Sequence, residues 1–189
     1  MTDHPNPVLQ FMLTRRSRPA KLLRAPGPDR AALEQMLQAA ARVPDHGKLE
    51  PWRFIVLEHP AGARVAGTIM DYAQSKGLDG EKPARAFADS PLCVAVIASP
   101  KPSEKIPELE QTLSVGAVCL GLVNAALATG WGANWLTGWP AHDHALMVQV
   151  LGLAPQEWVA GFIHMGTAEA TPPDRPRPDM SAITEWVHA

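Results

Sequence analysis

The feature that most constrains this chain is the run from Pro107 to Thr129, which reads as one long helix with apolar residues on every side. A surface helix needs one apolar stripe; a helix apolar all round must be covered all round. The sheet of one small domain can cover only part of it, so a partner chain is expected to cover the rest. Its most apolar part, Leu113 to Ala128, contains Ser114, Gly116, Gly121 and Asn124. It is also shorter than the roughly 20 residues a bilayer requires, so it reads as a buried helix rather than a membrane span.

Around this helix the chain alternates strand-like and helix-like segments. Pro7 to Thr14 reads as a short helix, and Asp29 is placed to cap a second one, with Leu33, Met36, Leu37 and Ala40 on one face and a stop before Pro44. Arg53 to Glu58, Leu92 to Ser99, Trp131 to Thr137 and Trp158 to Met165 read as strands. Pro60 opens a helix to about Lys76, Asp143 caps one to Leu151, and a last short helix spans Met180 to Val187. Gly77 to Pro83 is polar and reads as a lid loop. The expectation is one α/β domain over residues 1–189, with helices on both sides of a sheet.

A net charge of −2 with scattered Lys and Arg leaves no basic face, so nucleic acid is not an expected partner. Cys93 and Cys119 stand apart in apolar runs, without CxxC spacing, and read as buried thiols of a reducing compartment. The start, Met-Thr-Asp-His-Pro-Asn-Pro, has no apolar stretch of signal length, so a cytoplasmic location and no membrane partner are expected.

The chemistry concentrates at Arg15-Arg16-Ser17-Arg18, where guanidinium groups and a hydroxyl after a helix suit a phosphate. A solvated basic helix end is the plainer alternative. Further on, Pro44-Asp45-His46-Gly47-Lys48-Leu49-Glu50-Pro51-Trp52-Arg53-Phe54 breaks a helix, carries donors through a loop and re-enters a strand. An anion grip beside an aromatic-rich loop points to a phosphorylated, planar cofactor. Taken with Gly130 to Gly138 and Gly161 to Thr167, in that order, these segments resemble the nitroreductase family of FMN flavoproteins, in its compact NAD(P)H nitroreductase branch.

The resemblance implies a central mixed or antiparallel sheet (α+β), an intertwined homodimer and FMN at the subunit interface. It implies that Arg15 and Ser17 lie near the phosphate or ribityl chain and Arg16 near the flavin ring. It implies cofactor contacts by Arg42 and His46, with Lys48 at a position where relatives carry a small polar residue or an amide. A lysine there would stabilise the anionic reduced flavin. Trp135, Leu136 and Thr137 match the segment that lies against the flavin, and Leu136 stands where relatives can carry Arg. Arg175 and Arg177, in the proline-stiffened tail, are second-rank phosphate ligands or simply an exposed terminus.

Other constellations fail. Gly130-Trp131-Gly132 opens a strand and lacks the third glycine of a dinucleotide fingerprint. His142 and His144, at i and i+2, share no helix face and have no third ligand at matching spacing, so no metal is expected. There is no nucleophile elbow, HExxH or P-loop, and no catalytic side chain is assigned. The resemblance implies an FMN-dependent oxidoreductase that moves a hydride from NADH or NADPH through the flavin to a small electrophile, a nitroaromatic or quinone, by ping-pong turnover. A flavin-binding module for storage or sensing, without reductase turnover, is the alternative.

Overall fold

The computed structural model describes residues 6–188, so residues 1–5, read above for a leader, lie outside it. Helix α1, Pro7–Thr14, is capped by the Asn6 side chain, which accepts from the Val8 and Leu9 amides. The chain then runs extended to a two-residue strand, β1, Leu23–Arg24. Helix α2, Arg30–Ala40, starts as expected at Asp29, whose carboxylate accepts from the Ala32 amide at 2.8 Å. Strand β2, Trp52–Glu58, leads into α3, His59–Lys76, which opens on Pro60 and is closed by Gly77 at φ +67°.

The expected lid loop is a correction: α4 spans Glu81–Asp89 within and beyond it. Pro83 does not prevent this, because in the first turn its missing N–H has no intrahelical acceptor to lose. Ala84 and Phe87, three apart, are buried, while Lys82 and Arg85 face outward. Strand β3, Leu92–Ala98, is followed by the long helix α5, Glu108–Ala128, and then β4, Gly132–Leu136. A short helix α6, Gly138–His142, precedes α7, His144–Leu151, capped by Asp143; β5 is Trp158–Ala168. The terminal helix α8 covers only Met180–Ile183, four residues shorter than expected.

The sheet runs β1-β5-β3-β2, with β4 also paired to β5, and every described pairing is antiparallel. Strand β3 is central and buried on both sides. Leu92, Val94, Val96 and Ala98 join α2 and α5 in one core; Cys93, Ala95 and Ile97 join α3, α4 and α7 in the other. Gly121 permits the α2–α5 crossing, since a Cβ there would stand 3.2 Å from the Ala40 backbone. Both cysteines are buried free thiols, and desolvation pushes Cys119 up to about 12 and Cys93 higher still.

Helix α5 is long and apolar enough to cross a membrane by length and composition. It packs one side on the core through Val115, Val118, Cys119, Leu122 and Val123. Leu109, Leu113 and Leu120 remain exposed on it, and Val8, Leu9, Met12 and Leu13 are exposed on α1. The chain alone therefore leaves the opening expectation unfilled on one side of this helix.

Candidate functional site

Three sets of side chains carry the site. The first is cationic. After α1 the backbone turns extended at Arg15, and the Arg18 amide donates to the Ala133 carbonyl at 2.8 Å, docking the segment on β4. Arg15 Nη2 donates to Ser17 Oγ at 3.0 Å, while Arg15 Nε is buried without a partner. Arg16 donates to the Pro173 carbonyl and Arg18 to Thr171 Oγ1 at 3.0 Å, so the tail is folded back on this segment. Arg177 comes with it, donating to Asp174 at 2.7 Å and to the Leu13 carbonyl at 3.4 Å. Arg175 enters through its backbone N–H, which donates to Asp174.

Arg15 is held below its ordinary value first by burial and then by Arg177, Arg16 and Arg18. Asp174 is the carboxylate placed on this group, 3.6 Å from Arg16, and it is exposed. Four guanidinium groups that repel one another, one with a stranded buried donor, form a site that a multiply charged anion would relieve.

The second set is the end of β4. Trp135 donates from Nε1 to the Ala160 carbonyl at 3.1 Å and lies across Gly161, where a Cβ would stand 2.1 Å from that nitrogen. Leu136 lines a cleft of about 600 Å³ with Pro19, Lys21, Lys82, Arg85 and Asn134, and Asp79 and Glu81 share its rim. Thr137 is exposed and precedes α6. Reading residues 77–83 as a loop missed Lys82 and Arg85; the three-residue spacing of buried Ala84 and Phe87 was the available signal. Lys21 and Asn134 carried no signal, since only the tertiary fold brings them to this cleft. Trp139 stacks on Tyr72 at 6.4 Å, and Trp52 packs against the α5 core.

The third set is the loop after α2. His46 Nδ1 meets Glu110 Oε2 at 2.6 Å, and Ser114 Oγ donates to the Pro44 carbonyl at 2.8 Å, fastening the loop to the first turns of α5. The Asp45 carboxylate accepts from the Leu49 and Glu50 amides at 3.2 and 2.9 Å. Gly47, Lys48 and Glu50 all have φ in the left-handed region, at +75°, +54° and +47°. For Lys48 and Glu50 that is strained backbone, held by the bonds just named. Arg42, His46 and Lys48 are all exposed.

The structure thus gathers Arg15, Arg16, Ser17 and Arg177, with Trp135 to Thr137 on the adjoining strand. It does not bring His46 and Lys48 to them within one chain, and Arg42 follows α2 where Ala40 meets Gly121 at the middle of α5. The loop is fastened at Glu110, while the cationic group docks on β4 just beyond the far end of α5 at Ala128. At 1.5 Å per residue those ends lie about 27 Å apart.

The Nitroreductase family model matches residues 12–167. A protein named "Putative NAD(P)H nitroreductase YdjA" from Escherichia coli K12 is 30% identical over 165 residues, 86% of this chain and 88% of its own. A "Putative NAD(P)H nitroreductase" from Haemophilus influenzae is 33% identical over 167 residues, 85% of this chain and 88% of its own. Among solved structures, a nitroreductase-like family protein from Bacillus cereus superposes with a TM-score of 0.83 at 18% identity, covering 100% of both chains. A nitroreductase structure from Desulfovibrio desulfuricans, described as a complex with FMN, gives 0.76 at 21% identity, covering 98% of this chain and 100% of its own.

Proposed function

The chain belongs to the nitroreductase family, and from that premise we propose an FMN-dependent oxidoreductase that passes electrons from NADH or NADPH to a small electrophile of nitroaromatic or quinone type. The observation that carries the reading is the cationic group around Arg15, whose buried Nε lacks a partner. A flavin phosphate fits it in charge and in hydrogen-bond demand: acceptor oxygens would satisfy the stranded donor and neutralise the mutual repulsion.

In this reading Arg15, Ser17 and Arg177 hold the phosphate and ribityl end, Arg16 stands beside them toward the ring, and Arg175 lies behind. Trp135, Leu136 and Thr137 form a wall for the ring, and the Lys21, Lys82 and Arg85 side of the cleft supplies positive charge at its edge. FMN, when bound, supplies the redox chemistry, taking a hydride from the nicotinamide and passing electrons on. The protein's own part is to bind, orient and limit water access, which is why no catalytic side chain is assigned. Donor and acceptor use one site in turn, so turnover is ping-pong and double-reciprocal plots are parallel.

Arg42, His46 and Lys48 enter the same site from the other subunit of a homodimer. Two observations support this: the separation of about 27 Å along α5, and the uncovered apolar side of α5 and α1. Antiparallel packing of two α5 helices would bring the loop at one helix start to the cationic group at the other helix end. A cytoplasmic location, without nucleic-acid or membrane partners, belongs to the same reading.

The test is the visible spectrum after FMN addition and desalting, then anaerobic NADH and NADPH, then an acceptor. Retained flavin that bleaches with a donor and recovers with a nitroaromatic or quinone is the expected result. Bleaching without recovery by any acceptor would favour a flavin-binding module, and failure to retain FMN would refute the site.

A further inference from the structure

His164 of β5 is 1% exposed, and its Nδ1 has no hydrogen-bond partner. Its other nitrogen, Nε2, stands 4.0 Å from Cys93 Sγ on β3. Burial keeps the Cys93 group a thiol and the imidazole neutral. The Cys93 thiol can donate to Nε2 or accept from it, and where it donates the ring hydrogen sits on Nδ1. In that tautomer the stranded group is a buried N–H, which is costly to leave unpaired. Phe87 of α4, edge-on at 5.1 Å, offers it nothing polar.

Register identifies the nearest polar neighbour across the sheet. His164 is directly opposite Cys93 on one side and Asn134 of β4 on the other, and directly opposed residues share a sheet face with Cβ atoms about 5 Å apart. Asn134 is half-buried and lines the 600 Å³ cleft beside Leu136. A polar row, Cys93 to His164 to Asn134, therefore runs from the core to the cleft.

We propose that His164 is a positioning residue: its Nδ1–H donates to Asn134 Oδ1, which aims the Asn134 NH2 group into the cleft as a donor to a carbonyl or nitro oxygen of the bound acceptor. The amide reaches this arrangement by turning about its own side-chain torsions. The tautomer makes the row directional, since an imidazole that donates from Nδ1 takes the amide oxygen and leaves its NH2 facing outward. The inference rests on the reading of the cleft as the acceptor site.

Two measurements test it. In ¹⁵N-histidine NMR of the protein without added FMN, with the His164 signal identified by its loss in His164→Gln, we expect the Nδ1–H tautomer and a shift of the Nδ1 resonance in Asn134→Ala. The Nε2–H tautomer, or an Nδ1 resonance unmoved by Asn134→Ala, would overturn the proposal. In the FMN-loaded protein with a nitroaromatic acceptor, Asn134→Ala and His164→Phe should each raise the acceptor KM about threefold to tenfold with little change in kcat. The double variant should be no worse than either, and His164→Gln, which keeps an N–H donor, should retain KM. Effects that multiply, or a silent Asn134→Ala, would overturn it. Asn134→Ala lies at the cleft rim, so it decides the matter even where His164→Phe does not fold. Failure of FMN binding would refute the proposed function instead, and the NMR arm would still decide this inference.

Discussion

Gly161→Ala tests the wall of the site with a single methyl group. Gly161 needs no special backbone angle; its role is to leave room for the Trp135 indole, which a Cβ would meet at 2.1 Å from Nε1 and 2.5 Å from Cδ1. Ordinary contact begins near 3.4 Å, so the indole must withdraw by about 1.3 Å. That breaks its 3.1 Å bond to the buried Ala160 carbonyl. The lost bond and the stranded carbonyl cost about 1–3 kcal/mol, and the forced repacking about 1–3 more. Indole at the surface side of β4 relieves part of this, which leaves about 2–4 kcal/mol. At 2–4 °C per kcal/mol for a chain of this size, the melting temperature should fall by roughly 5–15 °C. Differential scanning calorimetry and denaturant titration would measure it. Trp135→Ala removes both the clash and the bond, so Gly161→Ala added to it should cost under about 0.5 kcal/mol. If Gly161→Ala costs the same in both backgrounds, the close approach is not the reason for the glycine and the argument is refuted.

Arg15→Gln should weaken FMN binding by about 10-fold to 100-fold, because a charge-assisted bond to phosphate is lost, while the FMN-free protein melts no lower, since a repelled, partly buried charge is removed. Fluorescence titration and thermal scans check both halves. The Glu157 carboxylate is held down at about 2 by the Arg53 guanidinium, which donates to it at 2.6 and 2.7 Å. Its folded value lies below its unfolded one, so this stabilisation is present above about pH 4.5 and is lost as pH falls toward 2; Glu157→Gln should flatten the urea midpoint over that window. His164, lowered to about 4 by burial, starts neutral: the unfolded form gains the proton first, so stability declines as pH falls from 6.5 toward 4. His164→Gln should remove that decline. Leu113→Lys, on the uncovered side of α5, should convert a dimer to a monomer in light scattering and abolish FMN retention; a dimer that persists would refute the interface assigned to α5.

Local chemistry made much of this protein legible from its residues alone. Caps and helix-opening prolines placed α2, α3, α5 and α7, because Asp29, Pro60, Pro107 and Asp143 act within one turn of themselves. The apolar run Leu92 to Ser99 announced a strand, and the all-round apolar helix announced surface that one chain cannot cover. The arginines after α1 and the loop around His46 were recognisable as recurring segments of a family. Where a polar run hid an amphipathic one, as at Glu81–Asp89, reading by composition failed, because Pro83 and the flanking glycines outweighed a two-residue apolar signal.

What tertiary structure decided is which residues meet. Arg177 reaches Arg15 only because the tail folds back through Pro173 and Thr171, and His46 is held some 27 Å away because Glu110, at the other end of α5, takes its ring. Gly161 is required by an indole from a strand 26 residues earlier, and the Cys93–His164–Asn134 row exists only through the register of three strands. Sequence sets propensities over a few residues, where one side chain bonds its own backbone. Contacts between distant segments depend on strand register and helix packing, which are properties of the whole chain folded at once.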